Sequence, residues 1–222
     1  HFALVGVVLA VGSLLAGASQ RLALRPTVQA AAVGIVLATL AGATLQRAHH
    51  WRDSLHISQA AAQSAPGSAR AWTQLCAKLF EAGGGATTAN TRLDEAIAAC
   101  SQGAAHVPDS LNSPALLLVL KTLRGDITAS DWAAFRQRMH TANKSWDNYR
   151  APMLLTYNFS KGVKLDQQEL LKVFETQDET RELAPVHLAG IGYFIMNDLR
   201  SPDTAMPYFI RAIEATHPGD PF

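Results

Sequence analysis

The stretch RAHHWRDSLHISQAAAQSAPGSARAW, residues 47–72, decides the fold. Only two of the 19 basic residues, and none of the 18 acidic residues, precede Arg47. The chain after this point carries charged residues between regularly spaced apolar ones. The sequence therefore predicts that the chain passes from lipid to water here.

Two apolar segments precede Arg47. Phe2–Gln20 and Pro26–Gln46 contain no charged side chain, and a short loop with Arg21 and Arg25 separates them. Each is about 20 residues long, enough for an α-helix to cross the roughly 30 Å hydrocarbon layer. A cleaved signal peptide would explain one apolar run but not two, and a buried soluble hairpin would show charges along one face. We predict a transmembrane helical hairpin over residues 1–46.

The arginines of the short loop predict that it lies in the cytoplasm, since basic loops stay on that side. The residues that follow would then lie in the periplasm or a lumen, although Arg47 and Arg52 favour the opposite orientation. The predicted location is a bacterial inner membrane with the helical domain in the periplasm. An apolar start without Met, and an end at HPGDPF, predict that the chain belongs to a longer polytopic protein.

Aromatic and basic residues mark the predicted exit from the bilayer, because amphipathic rings settle at the depth of the lipid headgroups. The predicted membrane-interface residues are Arg47, His49, His50, Trp51 and Arg52. A zinc site needs three or four ligands at one point, and only His49 and Asp53 stand four apart here. No metal site is predicted, and the lipid bilayer is the expected contact.

Apolar residues recur three and four positions apart throughout the rest of the chain, and no segment alternates as a strand does. The predicted fold is all-α: two transmembrane helices, a junction helix over 47–67, and a helical-hairpin domain over 68–222. The junction helix has no breaker at its start, so it can continue directly from the second span. Helices are predicted at 47–64, 68–82, 89–103, 110–124, 129–142, 146–160, 166–177, 183–198 and 202–216, with starts at Ser68, at Ser130-Asp131 and at Asp166, whose pairing with Glu169 resembles a capping box.

Parts of the domain fit a tetratricopeptide unit, a helix pair of about 34 residues. Between Pro66 and Pro108, Trp72 and Leu75 take the large positions, Cys76 the small contact position, and Ala96 and Cys100 lie on the second helix. The last pair fits better, with Ile191-Gly192 on its first helix and Ala205, Phe209, Ala212 and Pro218 after it. The segment between these two pairs, about residues 111–180, retains the spacing of helical hairpins but lacks the characteristic tetratricopeptide residues. A generic helical bundle is the alternative.

Cys76 and Cys100 are the only cysteines. In a tetratricopeptide hairpin they would face each other across two antiparallel helices, where a disulfide can form in an oxidising compartment. The alternative is two buried free thiols. No C-x-x-C motif is present, so redox catalysis is not expected.

An apolar hairpin, then R-x-x-x-W-x-D, then a helix ending in Pro, then helical repeats resembles the C-terminal part of bacterial polytopic membrane proteins. The pattern is similar to the transmembrane-and-tetratricopeptide O-mannosyltransferase group, through Arg47, Trp51, Asp53, Pro66, Arg70 and Ala71. The O-linking oligosaccharyltransferases and O-antigen ligases also end in a periplasmic helical domain, and the segment does not separate the two. The resemblance implies a sugar-transfer site upstream, so no catalytic residue is assigned here.

The function favoured by the sequence is a membrane-anchored scaffold that holds a protein partner or its own upstream membrane domain. The alternatives are the tail of a membrane glycosyltransferase or oligosaccharyltransferase, and an accessory subunit of a membrane complex. The candidate contact residues are Trp132, Trp146, Tyr149 and Tyr157, although packing between hairpins would explain them too. From Arg47 onward, 17 basic and 18 acidic residues form no basic block, which argues against nucleic-acid binding. No cofactor motif occurs.

Overall fold

The computed structural model describes residues 12, 13, 17, 25–87 and 89–216, without the side chains of Arg47, His49 and His50. Within these residues it is all-helical, with ten helices and no strand, which confirms the all-α prediction. The chain divides into two compact units, residues 1–52 and 53–222. The first predicted span, Phe2–Gln20, lies outside the described residues apart from Gly12, Ser13 and Gly17, which are helical.

Helix α1 runs from Pro26 to His50 in the first unit. Its 25 residues extend about 38 Å at 1.5 Å per residue, longer than the hydrocarbon layer is thick. The segment Pro26–Gln46 has a mean hydropathy of 1.9, and none of it is buried by protein. The hydroxyls of Thr39 and Thr44 donate to carbonyls one turn earlier, both at 2.8 Å. Among the described residues this one helix is long and apolar enough to cross a membrane.

The second unit contains the remaining helices, joined by short loops. They are α2 (Ser54–Ser64), α3 (Ala69–Ala82), α4 (Leu93–His106), α5 (Asn112–Arg124), α6 (Ala129–Thr141), α7 (Trp146–Ser160), α8 (Gln167–Thr180), α9 (Pro185–Asn197) and α10 (Pro202–Glu214).

The helix predicted near 47–64 does not form as one piece. α1 ends at His50, and a short turn leads to Asp53. The carboxylate of Asp53 accepts hydrogen bonds from the N–H groups of Leu55 and His56, at 3.0 and 2.9 Å, and so caps a new helix. The prediction of an uninterrupted junction helix over 47–67 was wrong because an aspartate can satisfy the first N–H groups of a helix without a glycine or proline before it.

Helices α3, α6, α7 and α8 also begin at a residue whose side chain caps the first turn. Ser68 caps α3 through a bond from Ala71 N, as predicted. Asp166 caps α8, but Glu169 forms ion pairs instead of completing a capping box. α6 begins at Ala129, as predicted, but the residue that caps it is Thr128, which forms a capping box with Asp131.

The helices of the second unit pack as two rows. α3, α5 and α7 contact one another in sequence, and ring contacts join α7 to α9. The even-numbered helices α4, α6, α8 and α10 are linked by three contacts across the second row. These are the bond from Arg138 to Ala104 O and the ion pairs Arg136–Glu169 and Arg211–Asp178.

Helices α3 and α4 approach each other closely at Gly103 of α4. A Cβ atom at this position would lie 2.6 Å from the Cβ of Trp72 and 2.7 Å from Ser113 Oγ. Trp72 is held in place because its indole N–H donates to Pro66 O at 2.7 Å and its ring stacks on His106. Only glycine therefore lets α3 and α4 approach to this distance.

Candidate partner-binding surface

A disulfide joins the first hairpin of the domain. Cys76 on α3 and Cys100 on α4 have Cα atoms 5.3 Å apart, and both residues are fully buried. The bond crosses the interface between the two antiparallel helices, next to the close approach at Gly103. It fixes the hairpin and lies away from solvent, which is typical of a structural disulfide.

The four aromatic contact candidates occupy three different environments. Trp132 is only 3% exposed and lies in the core with Phe135 and Met139 of the same helix face, so it does not contribute to a surface. Trp146 and Tyr157 are 60% and 62% exposed. The buried residues of α6 recur at helical spacing, and Trp132 is one of them.

Tyr149 lies half-buried between its two ring neighbours. Trp146 stacks on it with 5.5 Å between ring centroids, and His187 of α9 meets its edge at 4.2 Å. His187 Nδ1 is buried without a hydrogen-bond partner among the described residues, and burial lowers the pKa of this imidazole. Burial also raises the pKa of Tyr149, although the backbone of Ala184 and the positive charge of Arg181 act to lower it. Both rings are therefore neutral at neutral pH.

Helices α7 and α9 lie side by side and run in the same direction. The start of α7 contacts the start of α9 through Trp146 and His187, and near their ends Phe159 contacts Phe194. Trp146 and Tyr157 share one face of α7, since eleven residues bring the helix back to within about 20°.

Exposed apolar side chains on these two helices form one candidate surface. Val186 and Tyr193 share a face of α9 and are 57% and 63% exposed. We call Trp146, Tyr157, Val186 and Tyr193 the aromatic surface. At its Tyr157 end, the ammonium of Lys161 lies 5.5 Å from the ring centroid and adds a cation–π contact.

A solvent-open cleft of about 650 Å³ lies at the end of the domain where α7 and α9 begin. The end of α8, the loop to α9 and the end of α10 form its walls, and Lys144 reaches it from the loop before α7. Leu183 and Leu188 provide its apolar lining. Arg211 also lines it but is paired with Asp178, through two bonds of 2.5 and 2.8 Å.

Arg181 is the buried charge of this cleft. The residue is 9% exposed, and its Nη2 donates to the backbone carbonyl of Asn143 at 3.0 Å. The ion pairs formed by the described residues do not include it. Burial lowers the pKa of its guanidinium, and Tyr149 is the neighbour that opposes this shift.

The predicted membrane-interface residues lie at the end of α1 and in the turn after it. Trp51 is 68% exposed and Arg52 is also exposed, whereas the side chains of Arg47, His49 and His50 lie outside the described part of the chain. Asp53 bonds to His56 Nδ1 at 2.7 Å while it caps α2. Across the described ranges, no group of three or more metal-ligating side chains comes together.

No family model, curated protein or solved structure matches this chain. The interpretation of the surface therefore depends on its own geometry. Reasoning from the sequence missed His187, Tyr193 and Arg181. A tyrosine and a histidine within a helix as apolar as α9 were the available signal for the first two.

Proposed function

We propose that this chain is a membrane-anchored interaction module whose helical hairpins hold a partner protein, or the upstream membrane domain of the same protein, close to the bilayer. The aromatic surface carries the proposal, because its four side chains are 57–63% exposed on two adjacent helices. Soluble surfaces rarely expose large contiguous apolar patches, and tryptophan and tyrosine dominate binding energy at protein interfaces. α1 supplies the anchor.

We also assign the hairpins to the tetratricopeptide-like class. Support comes from the two rows of helices and from the small residues at the crossing of the last hairpin. A Cβ at Gly192 of α9 would lie 3.2 Å from the ring of Phe209 on α10, where Ala205 and Ala212 are also buried. In stacked hairpins of this kind, an exposed row of helices is the surface that binds peptides or helices.

The proposed location of the domain is the periplasm of a bacterial inner membrane. The Cys76–Cys100 disulfide supports this side of the membrane, because disulfides persist in oxidising compartments and are rare in the cytosol.

Site-specific photo-crosslinking in intact cells tests the binding function. A benzophenone amino acid replaces Trp146, Tyr157 or Tyr193 in separate variants, and Gln137, an exposed residue of α6, is the matched control. We expect a common adduct from the three surface positions and none from Gln137. A partner protein would add mass, whereas the protein's own membrane domain would give an internal crosslink. Absence of adducts at the surface, or equal adducts at Gln137, would refute the proposal.

A further inference from the structure

The guanidinium of Arg181 belongs to a buried residue and forms no ion pair with any described carboxylate. Removing an ion from water is costly unless an opposite charge or a full set of hydrogen bonds replaces the lost hydration. The bond from Nη2 to Asn143 O uses one of its five N–H donors. Arg181 lines the open cleft, so a hydrogen-bond acceptor can reach its guanidinium from there.

Arg138 shows how the same fold satisfies an arginine that is purely structural. It lies near the end of α6, as Arg181 lies at the end of α8, and its side chain reaches the last turn of α4 and the loop that follows α4. Its Nε donates to Pro108 O at 2.8 Å and its Nη2 to Ala104 O at 2.5 Å. Arg138 thus bonds two backbone carbonyls, whereas Arg181 bonds one and faces a cleft.

The charges of the cleft limit the kind of ligand. Once Arg211 is paired with Asp178, two cations, Lys144 and Arg181, remain beside three carboxylates, those of Glu179, Glu182 and Glu214. These carboxylates repel any anion, and they repel a polyanion more strongly than a ligand with a single negative charge. One carboxylate can instead be held by the planar fork of the guanidinium, which matches its geometry. Leu183 and Leu188 can accommodate an apolar group beside it.

We propose that this cleft binds a peptide segment of the partner through one carboxylate, which pairs with Arg181 while a neighbouring apolar side chain packs on Leu183 and Leu188. The inference rests on the proposed interaction function and names the chemistry that the partner presents. Lys144, an exposed residue, is a second cation in the lining of the cleft.

The test uses the full chain in detergent micelles with isotope-labelled arginine side chains, followed by NMR. N-acetyl-leucine is the probe, a minimal peptide terminus with one carboxylate and one apolar side chain, and N-acetyl-leucinamide is its uncharged counterpart. We expect the Nε–H signal of Arg181, identified by its loss in Arg181→Lys, to shift saturably with a Kd of about 1–10 mM. The amide should not shift it.

Arg138→Lys is the matched control, since it removes a structural arginine outside the cleft and should leave the response of Arg181 unchanged. No saturable shift, an equal shift with the amide, or tighter binding of inorganic phosphate would each overturn the inference. The crosslinks at Trp146 and Tyr193 separate this result from the proposed function. If these crosslinks persist while N-acetyl-leucine fails to bind, the proposed interaction function is retained and the proposed role of Arg181 is rejected.

Discussion

Replacing Gly103 with alanine probes the close contact between α3 and α4. The new methyl group would lie 2.6 Å from Trp72 Cβ and 3.2 Å from Trp72 Cγ, well inside van der Waals contact. Trp72 cannot swing away, because its indole is bonded to Pro66 O and stacked on His106. The helices α3 and α4 would have to separate, and the disulfide between them resists that movement.

The expected cost follows from two opposing effects. Overpacking a well-ordered core costs about 1–3 kcal/mol, and a contact made by a fixed Cβ belongs in the upper half of that range. Alanine in place of glycine inside a helix stabilises the folded state by about 1 kcal/mol, because its helix propensity is higher. We therefore expect Gly103→Ala to lower the free energy of unfolding by about 1–2 kcal/mol. For a domain of this size that corresponds to a melting temperature lower by about 2–8 °C.

Gly190→Ala is the matched control. Gly190 lies inside α9, and a Cβ there would meet no atom within 4 Å. Helix propensity acts alone, so this variant should be more stable by about 1 kcal/mol. Thermal and guanidinium unfolding of the full chain in detergent, followed by far-ultraviolet circular dichroism, measures both variants. If Gly103→Ala is as stable as Gly190→Ala, the close approach of α3 and α4 is refuted.

Three further predictions concern the disulfide, the anchor and the response to pH. Reducing the Cys76–Cys100 bond, which closes a loop of 24 residues, should cost about 3 kcal/mol in an unfolding titration, whereas an unchanged midpoint would contradict its stabilising role. Leu37→Arg, at the centre of α1, raises the free energy of membrane insertion by about 2.5–3.5 kcal/mol and should release the protein from membranes on alkaline extraction. Gln46→Arg, at the end of the apolar segment, should not release it. Burial raises the pKa of Asp131, but hydrogen bonds from a lysine of α5 and from the α6 N-cap outweigh it and lower the pKa overall. Its stabilisation is therefore present above the unfolded pKa of about 3.9 and is lost as pH falls through the folded value. Asp131→Asn should cost about 1 kcal/mol at neutral pH and nothing in strong acid, and a constant difference across pH would show that the charge is irrelevant.

Sequence patterns predicted the helices well where one face of a helix is buried and the opposite face is polar. α3 is the clearest case, because Trp72, Leu75 and Leu79 recur at helical spacing and Ser68 supplies the cap. α4 was predicted to begin at residue 89 but begins at Leu93. Asn90 is the reason, since its side chain bonds to Phe80 O and accepts from Arg92 N, which holds the preceding residues in a turn. A local pattern does not reveal a bond to the previous helix.

The aromatic surface was only partly predictable. α9 reads PVHLAGIGYFIMN, so nearly every position is apolar and periodicity cannot separate the face that packs on α7 and α10 from the face that carries Tyr193. Trp132 and Trp146 both look like contact residues in the sequence. The difference between them arises because Trp132 lies on the packing face of α6, whereas Trp146 lies at the exposed start of α7.

Arg138 and Arg181 show why the cleft could not be found from the sequence. Each is an arginine near the end of a helix, followed within a few residues by a loop, and nothing local distinguishes them. Their partners are 34 and 38 residues earlier in the chain, at Ala104 O and Asn143 O. Arg138 forms a further hydrogen bond because a second carbonyl, that of Pro108, lies within its reach. Arg181 borders an opening formed by α8 and α10, so its binding capacity is a property of how successive hairpins stack and not of any motif.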